Sequence, residues 1–156
     1  MQEVIRLLKE KNLYISTMES CTGGGVVNAL TNVEGASEVL KFSAVTYSNE
    51  FKIKMGVSEE IISKYSVYSM ETAKEMAKCI VEFTNSDLGV GITGKLKRSD
   101  LNNDYGEDNK VFISIYDKNN DTYYDKELIV DKDTRDENKL FTINNVRNML
   151  LEILSR

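Results

Sequence analysis

The chain has 156 residues, 41% hydrophobic and 29% charged, with a formal net charge of −5, which suits one domain with an apolar core. The acidic balance argues against nonspecific nucleic-acid binding, which needs a basic face, and no apolar run reaches the roughly 20 residues that cross a bilayer. Histidine is absent, so Ser-His-Asp and Cys-His catalysis, the usual Cys/His zinc sites and an imidazole pH switch are excluded.

In chain order, Val4, Ile5, Leu7 and Leu8 among charges predict an amphipathic helix over 2–11. That segment is too charged for a signal peptide, so a cytoplasmic location is expected. Residues 13–17 read as a short strand running into the turn 19–25, and 24–30 as a second short helix. A VEGAS turn at 33–37 precedes 39–47, which reads as a buried strand rich in aromatic and β-branched residues. Residues 48–55 form a short helix or turn closed by Gly56. Ser58 with Glu59 and Glu60 opens a helix to about Tyr65, and Ser69 opens a longer one to about Asn85.

Residues 88–93 make a strand ending in Gly94, and 95–109 are polar, turn-rich and expected to be mobile. Strands at 110–116 and 123–130 are joined by the hairpin-like DKNND, and Leu140, Ile143, Val146, Leu150, Leu151 and Leu154 recur at helical spacing to the end. Strands alternating with helices predict an α/β fold. The expected architecture is a layered α/β/α single domain over 1–156, with a mixed, mostly parallel sheet and a C-terminal helix. Cys21 and Cys79 are expected as free thiols.

Three clusters carry candidate chemistry. The first is MESCTGGG, 18–25. Backbone N–H groups at Gly23 and Gly24 would form an anion or oxyanion pocket at a helix start. A hydroxyl at Ser20 or Thr22 would serve there as nucleophile, cap or phosphate ligand, and the pattern fits equally a plain capped corner. It is neither the G-x-S-x-G elbow nor a P-loop.

The second is TYSNEFK, 46–52, at another strand end, where α/β sheets gather their ligand crevice. Lys52 lies 32 residues beyond Ser20. A desolvated lysine can act as base to a serine; the competing reading is a solvated helix lysine beside Glu50. The third is VGITG, 90–94, followed by Lys95, Lys97 and Arg98, which would meet a phosphate or form a surface loop. Asp100, Asn102 and Asp104 do not make an EF-hand, because Tyr105 stands where Gly is required and Val111 at the twelfth position. No metal is expected.

ESCTGG, the VEGAS turn, TYSNEFKIKMGV, SMETAKEMA and GITG together resemble the C-terminal domain of the CinA (competence/damage-inducible) family, closely over about residues 3–94 and more loosely beyond. Standalone members of that family are nicotinamide mononucleotide deamidases. The resemblance implies an amidohydrolase without cofactor, acting on a small pyridine nucleotide and forming a homodimer. It also implies Ser20 as nucleophile and Lys52 as its activator. Cys21, Thr22, Gly23, Gly24, Tyr47, Ser48, Asn49, Thr93 and Gly94 would line the pocket, and Arg135 would contact phosphate or the transition state.

Two departures stand out. The family's glycine- and proline-containing rim after the third block is replaced by GKLKRSDLNNDYGEDN, which should fill or reshape that edge. A second arginine after Arg135 is replaced by Asn138 and Lys139. They motivate an alternative, a non-catalytic relative that binds a nucleotide or partner protein through 95–109. A third reading is a Cys21 thiol enzyme or redox sensor, its pKa lowered by the helix N-terminus.

Overall fold

The computed structural model describes residues 1–97 and 107–156. Arg98 and the Asp100–Asp104 run lie outside the described residues. Helix α1 (Gln2–Glu10) leads to strand β1 (Ile15–Glu19), helix α2 (Gly25–Thr31), a 3-10 turn at Ala36–Glu38 and strand β2 (Leu40–Val45). Helices α3 (Asn49–Lys54), α4 (Glu59–Tyr65) and α5 (Met70–Thr84) follow. Strands β3 (Leu88–Gly94), β4 (Lys110–Asp117) and β5 (Thr122–Ile129) precede the terminal helix α6 (Arg135–Leu154).

The strands form one five-stranded sheet in the order β2-β1-β3-β4-β5. β1 pairs in parallel with β2 and β3, while β4 is antiparallel to both β3 and β5. Four of the five strands therefore run one way, the mixed, mostly parallel sheet expected. Strand alternation builds two cores. Val90 and Ile92 of β3, with Val111, Ile113 and Ile115 of β4, pack against Val4, Leu8, Val26, Val146 and Leu150 of α1, α2 and α6. On the other face Met18 of β1 meets Ile62 of α4 and Met76 and Ile80 of α5. Each such large side chain, fully buried, contributes about 1.5–3 kcal/mol. Among the described residues no helix is long and apolar enough to cross a membrane.

α5 lies directly on the backbone of β3. A Cβ at Gly89 or Gly91 would run into the carbonyl oxygens of Ala77 and Ala73 respectively, so these glycines set the helix–sheet separation. The predicted caps at Ser58 and Ser69 form, accepting from the N–H of Ile61 and Thr72 respectively; α6 opens on a Thr134–Glu137 capping box that no expectation named.

Two expectations are corrected. Residues 39–47 read as a buried strand, yet β2 is the sheet edge, paired only with β1. Phe42 and Val45 are 41% and 50% exposed, and Phe42 stacks on exposed Phe83. The apolar content matched a central strand; a parallel sheet's edge has no separate composition signal. The polar segment 95–109 also does not begin as a solvated loop. Leu96 is buried in the core. Lys95 is buried over the Tyr68 ring and reaches Asp108 at 3.5 Å. Lys97 Nζ donates to the carbonyls of Asp131 and Lys132 at 3.2 and 3.1 Å, which ties the end of β3 to the entry of α6.

Candidate active site

β1 and β2 are neighbours in parallel register, Glu19 opposite Val45, so their carboxyl ends open side by side. This brings the first two clusters together. Past β1 the chain turns sharply: Gly23 and Gly24 take left-handed φ of 60° and 90°, which glycine adopts without strain. Past β2, Ser48 caps α3 by accepting from the Phe51 N–H at 3.2 Å. α3 is a helix of only six residues, and it turns Lys52 inward.

Lys52 is 2% exposed, which removes the solvated-helix reading. Glu50 pairs instead with Lys54 at 2.5 Å. Lys52 Nζ donates to Ser20 Oγ at 3.1 Å and to the Thr46 carbonyl at 2.8 Å. Ser20, 9% exposed, is held by its own N–H on the Ile92 carbonyl at 3.0 Å. A hydroxyl on a sheet-anchored turn, within hydrogen-bond reach of an amine carried inward by α3, has a geometry compatible with a serine activated by a neighbouring base.

The expected anion pocket is filled differently. The Glu19 carboxylate, fully buried, accepts from the Val26 and Val27 N–H groups at 2.9 Å each and from the Thr22 and Thr17 hydroxyls at 2.7 and 3.2 Å. It thus occupies the positive end of α2, where a ligand anion was anticipated. Gly23 N–H, expected as an oxyanion donor, closes the turn on the Ser20 carbonyl at 2.9 Å. Among the described residues, the N–H groups of Cys21, Thr22 and Gly24 meet no backbone acceptor outside regular elements.

The thiol reading is overturned by electrostatics. Burial pushes the Cys21 thiol up to about 12, outweighing the opposing pull of Lys52 and Arg135. Cys79 is likewise free and buried, pushed up to about 11 by burial and by Glu75 and Glu82. Both are raised in the fold above the ordinary 9.0. The stability they contribute is therefore complete below about pH 9 and drains away as pH rises through about 11 and 12. The denaturation midpoint is expected to fall steadily above pH 9, and iodoacetamide at pH 8 to label neither thiol until the chain is unfolded. Rapid labelling of the folded protein at Cys21 would contradict this.

Arg135, at the start of α6, donates to the Tyr47 hydroxyl at 3.1 Å, so the terminal helix reaches the second cluster. Lys139, one turn on, lies over the Ser20 turn, with Nζ 3.3 Å from where a Cβ on Gly23 would stand. Asn138 is not a rim residue; buried, it clamps the loop before α6 by accepting from the Lys132 N–H at 2.9 Å. The Thr93 hydroxyl is buried and donates to the Val67 carbonyl at 2.7 Å, and Gly94 packs on the backbone of Lys110 and Val111. Glu19, inside the MESCTGGG turn, is the group at this corner to which the sequence reading assigned no role. A carboxylate one residue before a strand–turn–helix corner was its only signal.

These features define an α/β domain with a buried serine–lysine pair at its parallel strand ends. The chain belongs to the CinA C-terminal domain family, whose model matches residues 1–154. It is 51% identical over 92 residues to a putative competence-damage inducible protein of Clostridium beijerinckii, covering 58% of this chain and 22% of that one. It is 47% identical over 92 residues to a CinA-like protein of Kosmotoga olearia, again covering 22% of the relative. The matched stretch thus spans less than a quarter of these curated relatives. Among solved structures, a CinA superfamily protein from Klebsiella pneumoniae superposes with a TM-score of 0.89 at 22% identity, over 99% of this chain and 94% of that one. The competence/damage inducible protein CihA from Agrobacterium tumefaciens gives 0.84 at 28% identity, over 99% and 95%. The first of these speaks for the fold alone.

Proposed function

We propose that this domain hydrolyses the carboxamide of nicotinamide mononucleotide, giving nicotinate mononucleotide and ammonia by a serine–lysine mechanism. The observation that carries the reading is the 3.1 Å hydrogen bond between Lys52 Nζ and Ser20 Oγ, both buried. Ser20 Oγ attacks the carboxamide carbon and passes its proton to Lys52. That role needs Lys52 as the free amine. The N–H groups of Cys21 and Thr22 stabilise the oxyanion. Lys52 returns the proton to the departing nitrogen as the C–N bond breaks, ammonia leaves, and water then hydrolyses the ester on Ser20. Arg135 and Lys139 take the phosphate, local cations within an acidic chain.

The test is ammonia release from nicotinamide mononucleotide by the parent protein, by Ser20→Ala and by Cys21→Ala. Ser20→Ala is expected to lose about 10³-fold or more, and Cys21→Ala to stay within several-fold of the parent. Binding of the mononucleotide without ammonia release by the parent would favour the non-catalytic reading. The exposed apolar side chains of Phe42, Val45 and Phe83 at the sheet edge support a homodimer formed through that edge.

A further inference from the structure

We infer that the Thr46 hydroxyl is a further working group of this site, positioning the water that hydrolyses the acyl–Ser20 intermediate; the inference rests on the serine–lysine reading above. Thr46 lies between β2 and α3 and is 2% exposed. Its N–H donates to the Glu19 carbonyl at 2.8 Å. Its carbonyl accepts from Lys52 Nζ at 2.8 Å. The backbone of this one residue therefore joins the strand that carries the nucleophile to the base.

Among the described residues, Thr46 Oγ1 is the buried side-chain polar atom left without a hydrogen-bond partner. Leaving a buried hydroxyl so costs about 1–3 kcal/mol, and such an exception calls for a ligand or an ordered water. Other buried threonine hydroxyls of the site clusters are engaged: Thr17 and Thr22 on Glu19, Thr93 on the Val67 carbonyl. Covalent geometry keeps Oγ1 within about 4–5 Å of its own carbonyl oxygen, the oxygen that anchors Lys52 Nζ.

In the step assigned to it, the water oxygen forms a C–O bond to the acyl carbon while one water proton passes to Lys52 Nζ. The bond from that carbon to Ser20 Oγ then breaks. Lys52 returns the proton to Oγ, and the carboxylic acid and free enzyme remain. No oxidant or cofactor enters the balance.

Thr46→Val keeps the shape and removes the hydroxyl, while Thr46→Ser keeps the hydroxyl. The probe is p-nitrophenyl acetate, with acylation read as a p-nitrophenolate burst and acetyl–Ser20 followed by intact mass. Circular dichroism and melting confirm that both variants fold. The parent and Thr46→Ser are expected to clear the acetyl group at similar rates. Thr46→Val is expected to give a burst and then release acetate about 10-fold to 100-fold more slowly, so that acetyl-enzyme accumulates. A burst with acetate release from Thr46→Val as fast as from the parent would overturn this inference alone. A parent protein that gives no burst would overturn the serine–lysine reading and this inference with it.

Discussion

Lys52→Met is expected to lower ammonia release from nicotinamide mononucleotide by about 10³-fold or more, with the fold retained. Methionine approximates the buried apolar stem of lysine and lacks the amine, so the loss includes the hydrogen bonds to Ser20 Oγ and to the Thr46 carbonyl. Each neutral-range bond contributes about 1 kcal/mol net, so Tm should fall by roughly 4–8 °C. Lys52→Arg separates two roles that the methionine variant confounds. A guanidinium keeps positive charge and donors but does not lose its proton in a protein. If Lys52 only held Ser20 in place by charge, Lys52→Arg would keep a substantial part of the activity. If Lys52 takes the serine proton, Lys52→Arg is as inactive as Lys52→Met. Measured kcat/KM for the two variants, with Ser20→Ala as the floor, decides between them. An arginine variant within tenfold of the parent would end the general-base assignment.

Most of the fold was legible because local signals agreed with one another. Ser58 and Ser69 cap the helices they precede, and glycine stands where the chain takes left-handed φ after β1. The Ser20–Lys52 pairing was legible as a candidate because histidine is absent and parallel strand ends converge. Three features escaped because they depend on what lies across space. Edge or centre cannot be read from the apolar run in β2, since strand order is set by pairings elsewhere in the chain. The inward turn of Lys95 and Leu96 depends on Tyr68, Asp108 and the core beneath them. Cys21 sits near a helix start, which alone predicts an acidified thiol, but desolvation outweighs the nearby cations. The occupant of the α2 N-terminus was misjudged for a related reason. The sequence displays amide donors at a turn, but not that Glu19 folds back onto them.

That internal cap should be a sensitive point for stability. Glu19→Gln preserves size while replacing one acceptor oxygen with a donating NH2. One carboxylate oxygen now accepts from Thr22 and Val26, and the other from Val27 and Thr17. Whichever way the amide is placed, its NH2 faces an N–H donor, from Val26 or from Val27, and leaves it unsatisfied at a buried helix start. Hydrogen bonds to charged groups are each worth about 1.5–3 kcal/mol, and an orphaned buried donor adds its own desolvation. A loss of about 3 kcal/mol is therefore expected, which for a domain of this size lowers Tm by roughly 6–12 °C. Glu19→Ala should be worse, because all four donors lose their acceptor and a cavity remains.

Activity should fall as well in any Glu19 variant that still folds. Thr22 and Ser20 share the turn that Glu19 tethers, and a displacement near 1 Å at a reacting group is enough to lose about 100-fold. Two measurements on Glu19→Gln test this account: the melting temperature, and ammonia release well below that temperature. A variant that melts with the parent would show that the carboxylate does not hold α2. One that melts early yet turns over normally when folded would confine Glu19 to stability and leave Ser20 positioned by its bonds to Ile92, Gly23 and Lys52.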